Sequence, residues 1–294
     1  MKWQGVMPAI TTPFREDLSV DHDFLAKHAQ WMIDNGCTGI VALGSLGEGA
    51  TLEFDEKVAV LVTLVRALHV PVVAAISALG TATAVRLAKE AEDAGCSGLM
   101  VLPPYVYSTD WREMKAHMSA VIGATKLSCM LYNNPIAYRT DFLPEQIAEL
   151  ADEHPNLNAV KESSADIRRV AAIRTLLGKR LAIFIGVDDL IVEGVAAGAV
   201  GWIAGLVNAM PKESVALFDA ARRGDTDTAF RLYRWFLPLL RLDTVPKFVQ
   251  LIKLAQQAVG MGNTRVRPPR LELDGEELRE ALHLIQTALA HQPR

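Results

Sequence analysis

The stretch Ala94-Gly95-Cys96-Ser97-Gly98-Leu99-Met100-Val101-Leu102 decides how this chain folds. A helical pattern closes on a glycine, the residue that most readily takes the left-handed conformation at a helix C-terminus. An unbroken apolar run follows, and a strand with no polar alternation is buried on both faces, as in a parallel sheet covered by helices. The same grammar occurs twice more. Asn35-Gly36-Cys37-Thr38-Gly39 precedes Ile40-Val41-Ala42-Leu43, and Ala197-Gly198-Ala199-Val200-Gly201 precedes Trp202-Ile203-Ala204.

Outward from these landmarks, further strands are expected at 6–12, 72–76, 128–132, 159–161 and 182–186. They alternate with helical periodicity after Asp21 and near 53–67, 81–94, 111–123, 142–152 and 166–177. Asp110 followed by Glu113 predicts a helix cap, and Glu53, Asp55 and Glu56 suit a first helical turn. Eight strand-helix units by about residue 223 predict an α/β fold, a (β/α)8 TIM barrel over residues 1–223. The alternative, a doubly wound open sheet, is disfavoured because no Gly-x-Gly-x-x-Gly follows the first strand. From Asp225 the strand signal ends, and helices at 225–241, 244–260 and 275–290 predict a C-terminal three-helix extension over 224–294. Its Trp235-Phe236-Leu237-Pro238-Leu239-Leu240 run is too apolar to stay exposed, so it is expected to pack on the barrel or on another subunit.

With 294 residues, half of them hydrophobic, the chain can bury a large core. Its net charge of −4, with no basic run beyond a pair and no aromatic-basic interleaving, argues against nucleic acid as a partner. Cys37, Cys96 and Cys129 each lie in an apolar segment, as reduced and inert thiols do, which predicts a cytoplasmic protein. No signal-peptide pattern opens the sequence, and no charge-free run reaches membrane-spanning length. The seven histidines are scattered singly, so neither a metal site nor a cofactor is expected.

In a barrel of this kind the active site forms where strands end at the C-terminal face. Those exits are Thr11-Thr12, Gly44-Ser45-Leu46-Gly47-Glu48-Gly49, Pro103-Pro104-Tyr105-Val106-Tyr107, Tyr132-Asn133-Asn134-Pro135, Lys161-Glu162 and Gly186-Val187-Asp188-Asp189. Lys161 closes a buried strand, where desolvation disfavours the ammonium form and frees an amine that attacks carbonyls. The plainer reading is a Lys161-Glu162 pair with its charge at the barrel rim. The glycine-rich loop is a candidate anion nest for a carboxylate, or a turn whose glycines serve only positive φ. Tyr132, on the strand beside Lys161, is a candidate proton shuttle, or an aromatic lid on the core.

These exits resemble the dihydrodipicolinate synthase / N-acetylneuraminate lyase family along essentially the whole chain. Its Gly-Ser/Thr-Thr-Gly-Glu loop is similar to Gly44-Ser45-Leu46-Gly47-Glu48, its Tyr-Asn-x-Pro turn to Tyr132-Asn133-Asn134-Pro135, and its strand-six lysine to Lys161-Glu162. The resemblance implies a homotetramer built as a dimer of dimers, with a 2-keto acid held by Lys161 as a Schiff base and no cofactor. It implies Tyr132 as general acid/base, Ser45 linking it to solvent, and Tyr105, or else Tyr107, completing the relay across a subunit contact. Substrate contacts are expected from Thr11, Gly44, Leu46, Gly47, Glu48, Ala137, Gly186 and Ile203.

Two departures bear on the substrate. Leu46 replaces the loop's second hydroxyl residue, and Ala137 stands where the synthase branch places an arginine, with Tyr138 and Arg139 following. The expected activity is therefore a catabolic lyase acting on a 2-keto acid or cyclic imine acid, leaning to deamination of 4-hydroxy-1-pyrroline-2-carboxylate. Dihydrodipicolinate synthesis and cleavage or dehydration of a 2-keto-3-deoxy sugar acid are the enzymatic alternatives. A non-catalytic barrel that binds a small acid is the alternative of another class.

Overall fold

The computed structural model describes residues 1–106 and 110–293. Among these residues there are eight parallel strands and twelve helices, which begin with β1 Gly5–Pro8, α1 His22–Asp34, β2 Ile40–Ala42, α2 Phe54–Ala67, β3 Val72–Ile76, α3 Thr81–Asp93, β4 Gly98–Val101 and α4 Trp111–Ile122. The second half follows with β5 Ser128–Asn133, α5 Pro135–Tyr138, α6 Pro144–Glu153, β6 Leu157–Glu162, α7 Arg168–Leu177, β7 Ala182–Ile185, α8 Ile191–Ala196, β8 Gly201–Ala204 and α9 Pro211–Arg223. Helices α10 Thr226–Leu240, α11 Phe248–Ala258 and α12 Gly275–Ala290 complete the chain.

From β2 to β8 each strand pairs in parallel with the next in sequence, and β8 pairs in parallel with β1. The seam between β1 and β2 is closed by Thr38 N–H donating to Val6 O (2.9 Å) and Ile10 N–H donating to Val41 O (2.9 Å). This is the TIM barrel expected from the eight-fold repeat. The expected caps form as well: Asp110 accepts from the backbone N–H groups of Arg112 and Glu113, and Glu53 and Glu56 make a capping box on α2. Helices α5 and α8 are too short to leave a periodic signature, which is why pattern alone does not show them.

Helix α9 closes at Gly224 with φ of 71°, and α10 begins two residues later. The apolar run of α10 is covered within the chain. Phe236 and Leu240 are fully buried, and Trp235 Nε1 donates to Ala288 O of α12 at 2.8 Å. Among the described residues no helix is long and apolar enough to cross a membrane. The three cysteines are free and buried, and desolvation pushes each thiol up to about 12, far from reactivity at neutral pH.

Candidate active site

Strand register brings Tyr132 and Lys161 together, because the two residues are direct partners across β5 and β6. Lys161 Nζ lies 4.2 Å from the centroid of the Tyr132 ring. Side chains alternate faces along a strand, so the neighbour Glu162 points the other way. Glu162 accepts from Ser164 N–H (2.7 Å) and from Asn133 Nδ2 (3.2 Å), and makes no pair with Lys161. The Lys161-Glu162 rim pair therefore does not form.

Lys161 is only 6% exposed and makes no ion pair among the described residues. Desolvation pulls its ammonium down to about 8, with Asp243 and Asp188 pulling in the opposite direction. Two glycines make this crowding feasible. A side-chain carbon on Gly186 would overlap Lys161 Cε and Ser163 Oγ, and one on Gly205 would overlap the Asp243 carboxyl. Gly186 thus gives the lysine room at the β7 exit.

Tyr132 is buried, and desolvation raises its phenol to about 12 against the pull of hydrogen bonding, so it is protonated at neutral pH. Its Oη accepts from Asn134 Nδ2 at 2.9 Å, while Asn134 Oδ1 caps α5 by accepting from Ala137 N–H at 3.0 Å. Tyr138, at the end of α5, stands edge-on to Tyr132 with ring centroids 5.8 Å apart and hydrogen-bonds through Oη to Ser45 Oγ. Tyr105 packs against the same Tyr138 ring, 5.4 Å between centroids. Four residues, Tyr132, Ser45, Tyr138 and Tyr105, therefore form one hydroxyl-bearing wall within a single chain. Tyr107 lies outside the described residues.

The glycine-rich loop departs from its simplest reading. Positive φ falls on Leu43 (66°) and Glu48 (54°), not on the loop's glycines, and a non-glycine residue there is strained. Close approach is what requires glycine: a side chain on Gly47 would crowd Ile10 O, and one on Gly49 would overlap Leu43 O. Gly44 has open room. The backbone N–H groups of Ser45, Leu46 and Gly47 donate to no acceptor among the described residues.

Glu48 faces the C-terminal extension. Its carboxylate accepts from Lys253 Nζ (2.6 Å) and from Arg267 N–H (3.0 Å), and lies 3.8 Å from Arg270 Nη1. Thr11 also faces the extension, donating from Oγ1 to Gln256 Oε1 (2.9 Å), and Thr12 Oγ1 holds the loop through Gly47 O (2.6 Å). Leu46 and Ile203 are buried in the apolar core, whereas Ala137 is exposed on α5 beside an equally exposed Arg139.

Three residues of the site carry no sequence motif: Tyr138, Asp188 and Asp243. Asp188 accepts from Trp202 Nε1 (3.1 Å), Gly205 N–H (3.1 Å) and Leu206 N–H (2.9 Å). Burial raises its carboxyl above the usual carboxylate range, with those bonds and Lys161 opposing the rise. Asp243, on a turn after α10, is raised well above the carboxylate range by burial first and then by Asp188, with Lys161 opposing. Strand-exit position flags Asp188 in the sequence, but nothing local flags Asp243.

Comparisons with known proteins accord with this geometry. The model of the dihydrodipicolinate synthetase family matches residues 2–288. A 4-hydroxy-tetrahydrodipicolinate synthase of Agrobacterium fabrum is 34% identical over 269 residues, covering 91% of this chain and 92% of that protein. A crystal structure of a putative dihydrodipicolinate synthetase from Pseudomonas aeruginosa superposes with a TM-score of 0.92 at 32% identity, covering 98% of this chain and 100% of that one. YagE, a prophage protein from E. coli K12 solved in complex with pyruvate, superposes with a TM-score of 0.92 at 25% identity, covering 98% and 99% of the two chains.

Proposed function

The chain belongs to the dihydrodipicolinate synthetase family and is a Schiff-base-forming lyase, and from that premise we propose that it is catabolic, deaminating 4-hydroxy-1-pyrroline-2-carboxylate through Lys161. The observation that carries this reading is the character of the mouth. One unpaired lysine and one protonated tyrosine stand beside free loop N–H groups, with Ala137 where an arginine would grip a second carboxylate. A buried carboxylate without a cation or donors costs several kcal/mol, about 3–5 when a pair is broken.

The N–H groups of Ser45, Leu46 and Gly47 hold the substrate carboxylate. Lys161 Nζ attacks C2 of the ring imine, the ring C–N bond breaks, and the freed amine takes a proton. Protonated at nitrogen, the new imine draws electrons, so a C3 proton passes to Tyr132 and an enamine forms. The enamine expels the C4 hydroxyl and leaves a C3=C4 bond; a proton then leaves C5 while protons return to C3 and C4, so that C5–NH2 becomes a C5=NH imine, and hydrolysis of the two imines releases ammonia and 2-oxoglutarate semialdehyde. Pyruvate, bound by YagE, is the simplest acid that enters the same first step.

A second reading is favoured by the names of the relatives and by Arg270. That guanidinium lies close enough for its charge to oppose the upward shift of the Tyr138 phenol. The same guanidinium, 3.8 Å from Glu48 Oε2, is the cation that would have to turn toward a second carboxylate, as condensation of pyruvate with aspartate semialdehyde requires. A substrate panel separates the readings: the pyrroline acid, 2-keto-3-deoxy sugar acids, N-acetylneuraminate, and pyruvate with aspartate semialdehyde. The pyrroline acid is expected to give the highest kcat/KM, and the last pair giving it would overturn the catabolic reading. A homotetramer with Tyr105 near a subunit contact belongs to the same proposal, and light scattering showing a monomer at micromolar concentration would remove it.

A further inference from the structure

We propose that Asp243 is a second acid–base residue of this site, donating the proton that lets a hydroxyl leave as water while Tyr132 serves the carbon. The proposal rests on the reading of Lys161 as the imine-forming residue. Three buried side-chain polar atoms lack a partner among the described residues: His28 Nδ1, Ser163 Oγ and Asp243 Oδ1. Ser163 and Asp243 both belong to the shell around Lys161. Buried polar atoms are nearly always satisfied, so an orphan beside Lys161 is hydrogen-bonding capacity open to a substrate atom.

Asp243 is held there by structure on both sides. It ends the turn Arg241–Asp243, in which Leu242 is buried and Arg241 Nε reaches Asp189 Oδ2 at 3.3 Å. Its carboxyl occupies the space over Gly205 that any side chain at that position would fill. Asp188 binds the backbone N–H of the same glycine, so two carboxyls flank one residue at the β8 exit. Their surroundings divide the work: Asp188 accepts three N–H bonds that favour its anion, whereas Asp243 Oδ1 accepts none. Asp243 lies near enough to Lys161 and to Tyr132 for its ionisation to shift both groups.

The step balances as follows. When Lys161 Nζ adds to a keto carbon, a carbinolamine forms; Asp243 gives its proton to the hydroxyl, the C–O bond breaks, water leaves, and the nitrogen lone pair completes the C=N bond. For a 4-hydroxy substrate the enamine electrons move through C2–C3 to form C3=C4, and the C4 hydroxyl departs with the Asp243 proton. Asp243 becomes a carboxylate in each case and is reprotonated from solvent when product leaves.

The test uses Asp243→Asn, which keeps shape and hydrogen-bonding capacity but carries no labile acid. Imine formation with pyruvate, followed by borohydride quenching and intact mass, is expected to slow by about 10²-fold, the usual range for a lost general acid. Solvent exchange of the pyruvate methyl hydrogens, measured per imine already formed, is expected to stay within about twofold, because that step is assigned to Tyr132. Gly205→Ala, which displaces the Asp243 carboxyl, is expected to slow imine formation in the same way. Imine formation within twofold of wild type in Asp243→Asn overturns the proposal, and so do equal losses in both steps, which would make Asp243 merely structural. Failure of the wild type to deaminate the pyrroline acid sinks the substrate reading alone, since the pyruvate measurement still decides the role of Asp243.

Discussion

Two lysines are buried in this chain under closely similar conditions, and among the described residues only one of them is held in an ion pair. Lys161 is 6% exposed with Nζ 4.2 Å from the Tyr132 ring centroid; Lys253 is 2% exposed with Nζ 4.4 Å from the Phe14 ring centroid. Burial lowers the pKa of both. Lys253 also donates to Glu48 Oε1 and to Arg265 O, each at 2.6 Å, and so holds its charge in a closed pair. Among the described residues Lys161 has no carboxylate in contact, and Asp188 and Asp243 act on it only at longer range. The comparison teaches that burial by itself does not make a nucleophile; burial without a paired anion does.

The sharpest way to break the comparison is to trap the imine. Incubation with pyruvate and borohydride should modify Lys161 and leave Lys253 unlabelled in peptide mass spectra. Lys161→Ala should abolish both adduct and turnover, and an adduct surviving in that variant would remove Lys161 from the mechanism. Next in size is Tyr132→Phe, expected to keep imine formation measurable while turnover falls by about 10²–10⁴. Unchanged turnover there would reduce Tyr132 to a packing residue.

The structural lysine is probed by Glu48→Gln, which leaves Lys253 as a buried cation without its anion. Denaturant unfolding should show a loss of about 3–5 kcal/mol, and a loss below about 1 kcal/mol would mean that water reaches Lys253. The smallest effect is on the pH profile. The reactive form of Lys161 is the free amine, so with its ammonium pulled down to about 8 the rate of imine formation rises with pH and levels off above that value. Below it the rate should fall roughly tenfold per pH unit, as the free amine becomes a minor species. A limb placed near the ordinary lysine value instead would show that Lys161 is not desolvated in solution.

The eight strands, the helices of the barrel and the three tail helices were legible because each follows from local patterning: apolar runs, helical periodicity and glycine stops. Lys161 and Tyr132 were legible too, since both fall at strand exits and adjacent parallel strands in register bring such exits together. The loop was legible only in part. Of its two readings, anion nest or glycines serving only positive φ, the second fails: that conformation falls on Leu43 and Glu48, and Gly47 and Gly49 are required because the backbone of Ile10 and Leu43 approaches too closely for any side chain there.

The sequence by itself determined the barrel, the helices that follow it and the placing of one lysine beside one tyrosine at adjacent strand exits. Tertiary structure alone decided that Glu48 pairs with Lys253, 205 residues away, that Tyr138 reaches Ser45, and that Asp243 comes to rest over Gly205. A strand's period fixes which way its side chains face, so residues on neighbouring strands can be placed from pattern. The partner of a carboxylate on a turn between two tail helices depends on how whole elements pack, and no local spacing encodes that distance.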